Sequence, residues 1–535
     1  MNGDLARSQQ LATFVVTADQ MRQIEGRVFA AGMPIAALME KVAGLITDRV
    51  TTLYPLPDYR RVGVLVGPGH NGGDALVVAR ELQFRGYEVI TYRPVSRLKE
   101  LTATHAQYCD SLGISLVDRP EALQTCDLLI DGLFGFGLER AIEGDLAAEI
   151  AQINQFSLPI VSIDLPSGLH TDTGKALGTA IRATQTFCLG LWKQGLLQDW
   201  ALEYTGQAEL IDFDLPLADI RAILGDYPTV NRITSEQAIA ALPLTRPAST
   251  HKYKQGHLLL ICGSHQYAGA AILSGLGARA SGVGMLSIAV PQSIKPLLTT
   301  QLPEALILGC PETESGAIAH LPETIDLSKY DAIACGCGLT IAATPVVEAV
   351  LASHQPLLLD ADGLNILANL GTIPTLQARS APTVLTPHLG EFYRLFPDLA
   401  QDMTCRVNAV RQAATQTQAI VLLKGARVTI ADTETVWINP DSTPALARGG
   451  SGDVLTGLTG GLLAQSAVGE REETQESRDR RFSQAVQAAT WWHAQTGIFA
   501  VRSRTELGVD AHTLTGYLIP TLNHQLAFDP TSIKI

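Results

Sequence analysis

Short apolar runs alternate with segments of helical apolar spacing throughout the first half of the chain. Residues 36–50 carry that spacing and predict a helix, and the run 61–66 predicts a buried strand. A glycine-rich turn follows at 67–74, and a second helical pattern covers 75–84. Further apolar runs stop at Asp131 and at Asp164, each followed closely by glycine. This order predicts an α/β domain with a parallel sheet.

The second half repeats the alternation with strands that are apolar along their whole length. Such runs are typical of a parallel sheet covered by helices on both faces, and residues 427–438 predict a hairpin at its end. The predicted strands are 257–262, 332–335, 357–360, 383–386 and 420–423. A chain of 535 residues is too long to form a single hydrophobic core, so two or more domains are expected. A passage rich in Pro and Asp, from 213 to about 247, predicts the linker between them. We therefore expect domains at 1–225 and 226–535.

The composition of the chain limits which kinds of molecule it can bind and where in the cell it is expected. The formal charge of −14 argues against nucleic acid and against an acidic membrane surface, although loop N–H groups can still bind a small anion. The most apolar run, 269–290, is interrupted by Arg279 and by glycines, so no membrane span is predicted. Eight cysteines without a CxxC pair, and a start without an apolar signal region, predict a reduced, cytoplasmic protein.

The stretch 446–457 carries the most chemistry. Gly449, Gly450, Ser451 and Gly452 run into Asp453, and a helical pattern follows. Glycines let several backbone N–H groups converge, and the start of a helix adds more, so the stretch predicts an anion site. Asp453 would repel a phosphate unless it takes a proton from a hydroxyl that receives the phosphoryl group. The alternative is that Asp453 only caps the helix.

In the first half, the turn 67–74 joins a strand to a helix, which is the geometry of a phosphate or dinucleotide site. It is neither GxGxxG nor a Walker loop, and a plain turn is the alternative. The glycines beside Asn71 and Asp74 favour a site. Asp131 and Asp164 end neighbouring strands and could be turn formers, but together with this turn they predict one crevice. Its oxygen ligands, including Ser167, would suit a hard cation.

The runs GPGHNGGDALVVAR, DGLFGFGLERA and SIDLPSGL resemble the N-terminal domain of the bifunctional NAD(P)H-hydrate repair enzymes. That domain is a Rossmann-like three-layer epimerase that interconverts the R and S forms of hydrated NAD(P)H. The resemblance implies that Asp164 contacts the hydrated ring and transfers a proton, and that potassium binds Asn71, Asp131 and Ser167. The implied dinucleotide ligands are His70, Asn71, Gly72, Gly73, Asp74, Gly135, Phe136, Gly137, Leu138, Glu139, Arg140, Ala141 and Asp164. The chain departs from the family pattern at His70, Ala75 and Phe136.

The runs HKYKQGHLLLICGS, LLDADGLN, VLTPHLGEF, VLLKGA and ARGGSGDVLTG resemble ribokinase-like ADP- or ATP-dependent NAD(P)H-hydrate dehydratases. The fold implied is a ribokinase-like three-layer α/β domain, and ADP or ATP would be a co-substrate used with Mg²⁺. The implied dinucleotide ligands are Ala270, Gly338, His388 and Asp453. The implied adenine-nucleotide ligands are Lys424, Gly425, Ala426, Arg427, Val428 and Gly452. Cys337 and Thr340 replace the Pro and the final Gly of the family's GPGLG loop.

Several of these residues also have plainer interpretations. His388 could be a hydrogen-bonded core histidine and Lys424 a surface lysine. Asp360 and Asp362 are interpreted as turn formers rather than Mg²⁺ ligands. The run 491–493 (Trp-Trp-His) predicts core or interface, and the charged tract 470–481 predicts a solvated loop.

Together the two resemblances imply a bifunctional enzyme that acts on NADHX and NADPHX, epimerises their R and S forms and dehydrates the S form. We expect a homo-oligomer. One alternative is a small-molecule kinase, since a GGSGD hole serves any ribokinase-like phosphoryl transfer. Another is a dinucleotide-binding sensor whose first domain is inactive, which the departures at His70 and Phe136 would permit.

Overall fold

The computed structural model describes residues 2–400, 403–468 and 474–528. It divides into two compact units, Met1–Val230 and Asn231–Ile535. The boundary predicted from the sequence, between 225 and 226, lies a few residues before this division.

The first unit is built on a 7-stranded parallel sheet. Its helices are α1 Asn2–Leu11, α2 Ala18–Ala30, α3 Ile35–Leu53, α4 His70–Phe84, α5 Glu100–Ser111, α6 Gly144–Ile153, α7 Leu202–Thr205 and α8 Leu217–Leu224. Its strands are β1 Val15–Val16, β2 Arg61–Val66, β3 Glu88–Tyr92, β4 Ser115–Val117, β5 Leu128–Gly132, β6 Ile160–Ile163, β7 Gln185–Leu189, β8 Trp192–Lys193 and β9 Gln207–Ile211.

The strand order β4-β3-β2-β5-β6-β7-β9 places a crevice in this unit. From β2 the chain builds outward to β3 and β4, and it then returns to add β5 on the other side of β2. Ligands of open α/β sheets bind beyond the strand ends at such a reversal. Gly67 follows β2 there, and a Cβ on it would lie 1.6 Å from the carbonyl oxygen of Leu133 after β5. Only glycine lets the two loops approach so closely.

The second unit contains a 10-stranded sheet, of order β10-β19-β18-β17-β16-β15-β14-β11-β12-β13. Its helices are α9 Ser235–Ala240, α10 Ala268–Ala280, α11 Lys295–Gln301, α12 Thr344–Leu351, α13 Asp362–Leu370, α14 Thr372–Gln377, α15 Leu389–Leu395, α16 Pro397–Ala400, α17 Arg406–Thr417, α18 Ser451–Ala467, α19 Gln475–Arg504 and α20 Ala511–Phe528. Its strands are β10 Val230–Arg232, β11 His257–Ile261, β12 Met285–Pro291, β13 Leu306–Cys310, β14 Ala332–Cys335, β15 Leu357–Leu359, β16 Thr383–Leu385, β17 Ile420–Leu423, β18 Thr429–Ala431 and β19 Val436–Ile438.

Strands β11 to β17 are parallel, and β17, β18 and β19 are antiparallel neighbours. The predicted α/β class, the apolar parallel strands and the terminal hairpin are all confirmed. Most apolar residues of these strands are buried, as covering helices on both faces require, and the exposed Leu306 lies on the edge strand β13.

Helix α18 crosses α10 at backbone contact distance, which holds the start of α18 in place. A Cβ on Gly457 would lie 1.8 Å from the carbonyl oxygen of Ser274, and one on Gly277 would lie 2.3 Å from that of Val454. The small residues in the GGSGDVLTG run therefore serve this packing as well as the turn before the helix.

The charged tract at 470–481 is only partly described, because residues 470–473 lie outside the described residues. From Gln475 onward the chain is helix α19, so the loop prediction is wrong there. The hydroxyl of Thr474 accepts a hydrogen bond from the Ser477 amide (3.2 Å) and begins the helix. Farther along α19, Trp491 and Trp492 are buried in the core of the unit, as predicted.

Candidate functional site

A cavity of about 560 Å³ lies in the first unit at the end of its parallel strands. Most of the predicted dinucleotide ligands line it, namely His70, Asn71, Asp74, Gly135, Phe136, Gly137, Leu138, Glu139, Arg140 and Asp164. Gly72 and Gly73 are buried beneath it, where a Cβ on Gly72 would lie 1.9 Å from the carbonyl oxygen of Gly67. Ala141 is the other predicted ligand that lies outside the lining. Residues from three separate strand ends thus meet at one cavity.

Asp164 is held firmly in this cavity. Its backbone has φ of 69°, a left-handed conformation that costs a non-glycine residue about 1–3 kcal/mol and is typical of functional sites. Its carboxylate accepts hydrogen bonds from the amides of Phe136 (2.9 Å) and Leu189 (3.3 Å). One carboxylate oxygen lies 2.5 Å from Nζ of Lys193. Three donors from different segments therefore position the acid.

Lys193 is a residue that the sequence analysis missed. Its side chain is fully buried, and it also donates to the carbonyl of Leu189. Burial alone would lower the pKa of Lys193, but the adjacent Asp164 carboxylate raises it, and the net direction is upward. The aromatic ring of Phe136 lies 5.7 Å from the ammonium group and covers it. The sequence did contain a signal for this residue, because a lysine inside the largely apolar run 186–197 indicates a buried charge that needs a partner.

Two further carboxyl groups line the same cavity. Burial raises the pKa of Glu25 to about 7, with Lys193 acting to lower it and Asp164 to raise it. Burial also raises the pKa of Asp74 well above its ordinary value, and the charges of Asp164 and Glu25 add to that effect. Glu25 on α2 was likewise missed by the sequence analysis.

The residues expected to bind potassium converge on the loop after β5. Asp131 is fully buried and accepts hydrogen bonds from the Ser167 amide (2.9 Å) and hydroxyl (2.6 Å) and from the Ser162 hydroxyl (2.7 Å). The Ser167 hydroxyl also accepts from the Phe134 amide (2.8 Å). A Cβ on Gly135 would lie 3.1 Å from the side-chain oxygen of Asn71. The loop thus brings several hard oxygen atoms together.

In the second unit, Asp453 lies in the first turn of α18. Gly450, with φ of 90°, is the N-cap residue, and no side chain caps the helix. The alternative that Asp453 is a capping residue is therefore wrong. Burial raises the pKa of Asp453 to about 6, the Cys337 thiol and Lys424 act to lower it, and Asp360 acts to raise it. Its carboxyl group is suited to exchange protons near neutral pH.

Lys424, at the end of β17, lies beneath the start of α18. Its ammonium group is 2.7 Å from a carboxylate oxygen of Asp360, and a Cβ on Gly452 would lie 3.5 Å from Nζ. Asp360 also accepts a hydrogen bond from the Thr456 hydroxyl (2.6 Å). Asp360 does order the turn after β15, where its carboxylate accepts from the Ala361 amide (2.8 Å), but the same buried carboxylate also joins β15 to β17 and α18. Asp362 does order a turn, accepting from the amide of Thr340 (2.9 Å).

His388 is half exposed rather than buried, so its core alternative is wrong. Its Nδ1 accepts hydrogen bonds from the amides of Gly390 (3.0 Å) and Glu391 (3.3 Å), and the Glu391 carboxylate accepts from the His388 amide. The same Glu391 lies 3.9 Å from Nζ of Lys424. This capping box therefore brings His388 toward the Lys424–Asp360 pair.

The remaining predicted residues of the second unit lie at the same strand ends. Gly338 has φ of 67°, and a Cβ there would lie 2.9 Å from the Cβ of Ala270, so these two residues are neighbours. Gly425, Ala426, Arg427 and Val428 form the turn between β17 and β18. The structure thus brings Asp453, Lys424, Gly452 and Asp360 together, and places Ala270 beside Gly338.

The residues that the structure describes contain neither a membrane-spanning helix nor a cluster of metal-binding side chains. No helix among those residues is long and apolar enough to cross a membrane. No group of three or more His, Cys, Asp or Glu side chains suited to a metal occurs among them either.

Comparison with known proteins identifies the family. The family model for NAD(P)H-hydrate dehydratase matches residues 258–520, and the model for the YjeF-related protein N-terminus matches residues 35–195. The bifunctional NAD(P)H-hydrate repair enzyme Nnr of Synechocystis sp. is 56% identical over 513 residues, covering 96% of this chain and 95% of that protein. The chain belongs to the bifunctional NAD(P)H-hydrate repair enzyme family.

Other members of the repair-enzyme family are also similar along nearly the whole chain. That of Thermosynechococcus vestitus is 53% identical over 514 residues, covering 96% of this chain and 98% of that protein. Among solved structures, the ADP/ATP-dependent NAD(P)H-hydrate dehydratase of Bacillus subtilis, co-crystallised with ATP and Mg²⁺, is 32% identical. It covers 55% of this chain and 97% of its own, with a TM-score of 0.44. The family resemblance drawn from the motifs of both halves is confirmed.

Proposed function

We propose that this protein repairs hydrated NAD(P)H by two activities. The first unit interconverts the R and S forms of NADHX and NADPHX, and the second dehydrates the S form at the expense of ADP or ATP. Family membership supports both activities. The observation that carries the proposal is the position of Asp453, which lies in the first turn of α18 without capping it.

The start of α18 supplies the groups proposed to carry out the dehydration. Backbone N–H groups at Gly449–Gly452 and the positive end of the helix dipole bind the phosphoryl group in transfer. Asp453 accepts the proton of the C6 hydroxyl as its oxygen attacks phosphorus. Inorganic phosphate then leaves C6 with the C6–O electron pair, a proton leaves C5 to solvent, and the C5–H electron pair forms the C5=C6 double bond. Coupling to nucleotide cleavage drives the loss of water in aqueous solution. Ala270, Gly338 and His388 would hold the dinucleotide beside Asp453.

The nucleotide would bind beside Lys424. Its ammonium group lies under Gly452 and is positioned by Asp360, so it can face the phosphates. The turn 425–428 would hold the remainder of the nucleotide. Mg²⁺, which usually keeps most of its ligands as phosphate oxygens and water, would arrive with the nucleotide and neutralise its phosphates. A site built of several carboxylates is not needed for that role.

Epimerisation is assigned to the cavity of the first unit. Residues 70–74 and 135–141 would hold the dinucleotide, and Asp164 would exchange the proton of the ring hydroxyl. The oxygen atoms of Asn71, Asp131 and Ser167 suit potassium, which would fix the loop after β5 and add positive charge near the phosphates. Phe136 departs from the family pattern only in its side chain. Its backbone amide still donates a hydrogen bond to Asp164, so the position of this carboxylate is preserved.

One assay tests the proposed function. Purified protein is incubated with mixed R and S hydrate and with ADP or ATP, and NADH absorbance is followed against a sample without nucleotide. Complete conversion is expected, because the first unit recycles the R form. Conversion of only half would contradict the epimerase assignment, and no conversion would contradict both. A stable phosphorylated product in place of free phosphate would favour the small-molecule kinase.

A further inference from the structure

The inner part of the first unit's cavity holds more acid than base. Glu25, Asp74 and Asp164 line it together with the single buried ammonium group of Lys193. Three other charged residues that line the cavity are exposed to solvent, namely Lys99, Glu139 and Arg140, and His70 lines it as well. Three carboxyl groups around one ammonium group cannot all be ionised without a large electrostatic cost.

The three carboxyl groups differ in their partners. Asp164 has Lys193 and two backbone amides, which stabilise its negative charge. Glu25 and Asp74 have no hydrogen-bond or ion-pair partner for their carboxyl groups within the described part of the chain. An unequal set of this kind divides into a proton acceptor and a proton donor. Asp164 is suited to the first role, and a carboxyl group without partners is suited to the second.

Glu25 is the better candidate for the donor. Asp74 belongs to the start of α4, where residues 70–74 are proposed to hold the dinucleotide, whereas Glu25 comes from a separate helix, α2. That helix is firmly seated, because Met21 and Ile24 are fully buried and its first amide donates to Asp172 (2.7 Å). Glu25 is therefore presented to the cavity by a rigid element.

We propose that Glu25 is the proton donor of the epimerisation and that Asp164 is its proton acceptor. This inference rests on the proposed epimerase function of the same cavity. The proposal adds a catalytic residue on α2, a helix that contains none of the residues proposed above to bind the dinucleotide.

The chemistry at C6 requires such a pair. C6 carries both the hydroxyl and the ring nitrogen N1, so opening the ring removes its chirality. Asp164 takes the hydroxyl proton, the O–H electron pair forms the C6=O bond, and the C6–N1 pair moves onto N1, which takes the proton of Glu25. After rotation about C5–C6, N1 attacks the other face of the carbonyl, returns its proton to Glu25, and oxygen recovers the proton from Asp164. No atom or electron is gained or lost.

The pH dependence of the reaction then has a defined sign. The pKa of Glu25 is about 7, raised by burial and by Asp164 and lowered by Lys193. Below that value Glu25 carries the proton it must donate, and above it the donor is lost. Epimerisation should therefore slow as the pH rises through about 7, by about tenfold per unit.

The test uses the full-length protein without nucleotide, so that dehydration does not remove the S form. Pure R hydrate is added, and its conversion to S is followed by chromatography, with the rate in buffer alone subtracted. The variants are Glu25→Gln, Glu25→Asp, and Asp19→Asn, whose exposed carboxyl group lies on the same helix outside the cavity. Dehydration of S hydrate with nucleotide and a thermal unfolding curve verify that each variant is folded.

Glu25→Gln should lower kcat for epimerisation by about 100-fold or more, change KM less than about threefold, and remove the decline above pH 7. Glu25→Asp should restore part of kcat, and Asp19→Asn should match the wild type. Wild-type kcat in Glu25→Gln, or a lowered kcat that still declines above pH 7, would overturn the role of Glu25. A wild-type rate that does not decline above pH 7 would overturn it without any variant. A wild type that does not interconvert the epimers would contradict the proposed function itself.

Discussion

Each of the two units places the aspartate proposed to be catalytic near a lysine, but the two residues are connected differently in the two units. In the first unit Lys193 pairs directly with Asp164, at 2.5 Å. In the second unit Lys424 pairs with Asp360, at 2.7 Å, and Asp453 is left without a salt bridge among the described residues. Because no lysine pairs directly with Asp453, burial raises the pKa of that carboxyl group to about 6.

This difference fits the two tasks. The first unit returns every proton it takes, so a fixed carboxylate and a separate donor suffice. In the proposed dehydration Asp453 accepts a proton from a hydroxyl while Lys424 stays available for phosphate, and Lys424 is accordingly held by Asp360 instead. The position of one ammonium group decides which of the two aspartates is paired directly with a lysine.

The largest expected effect is that of Asp453→Asn. Removing the base should lower kcat for dehydration of the S hydrate by about 10²–10⁴-fold and leave epimerisation unchanged. NADH absorbance measures the first activity and chromatography of the epimers the second. Glu348→Gln, an exposed change on α12, is the control. Dehydration at the wild-type rate in Asp453→Asn would show that the base is elsewhere.

Asp164→Asn should have the reverse effect, with epimerisation falling by about 100-fold or more and dehydration retained. It also leaves the buried Lys193 ammonium group without its partner, which should destabilise the first unit by about 3–5 kcal/mol. Denaturant unfolding measures this loss, and adding Lys193→Met should recover much of the stability without the activity. If dehydration rather than epimerisation were lost, the division of labour between the units would be wrong.

The pH profiles of the wild type should oppose one another. Asp453 must be ionised to accept a proton, so kcat/KM for dehydration should fall about tenfold per unit as the pH drops below about 6. Epimerisation should instead fall above about 7, where Glu25 loses its proton. Both profiles are measured on one preparation. If both activities changed with pH in the same direction, Asp453 and Glu25 would not have the opposite roles of proton acceptor and proton donor.

The smallest expected effect is that of Asp360→Asn, which acts on Asp453 without contacting the substrate. In Asp360→Asn the negative charge that raises the pKa of Asp453 is removed and Lys424 is released, and both changes lower that pKa. The acid limb of dehydration should move to lower pH, while KM for the nucleotide rises because Lys424 is no longer held. An unmoved limb would mean that Asp360 does not act on Asp453.

Much of this organisation could be predicted from the sequence, because its signals are local. The strands are continuous apolar runs, and the residues 449–453 are adjacent in the chain, so their convergence at a helix start follows from glycine and helix geometry alone. The α/β class and the strand-end aspartates were predicted for the same reason.

The failures share the opposite cause. The pair between Asp360 and Lys424 was not predicted, because the two residues are distant in sequence and meet only since β15 and β17 flank β16. Lys193 and Glu25 have no motif of their own. The pairing of β8 with β1, which aligns Lys193 with Val16, brings the start of the chain to the site. His388 gave no sign that it would cap α15.

The sequence by itself determined the order of strands and helices, the glycine turns and the acids that end the strands, because hydrophobic period and backbone freedom act over a few residues. Only the tertiary structure decided which lysine partners which aspartate, and which carboxyl groups have a raised pKa. Charge interactions and burial depend on distances between segments far apart in the chain, and those distances exist only once both sheets have formed.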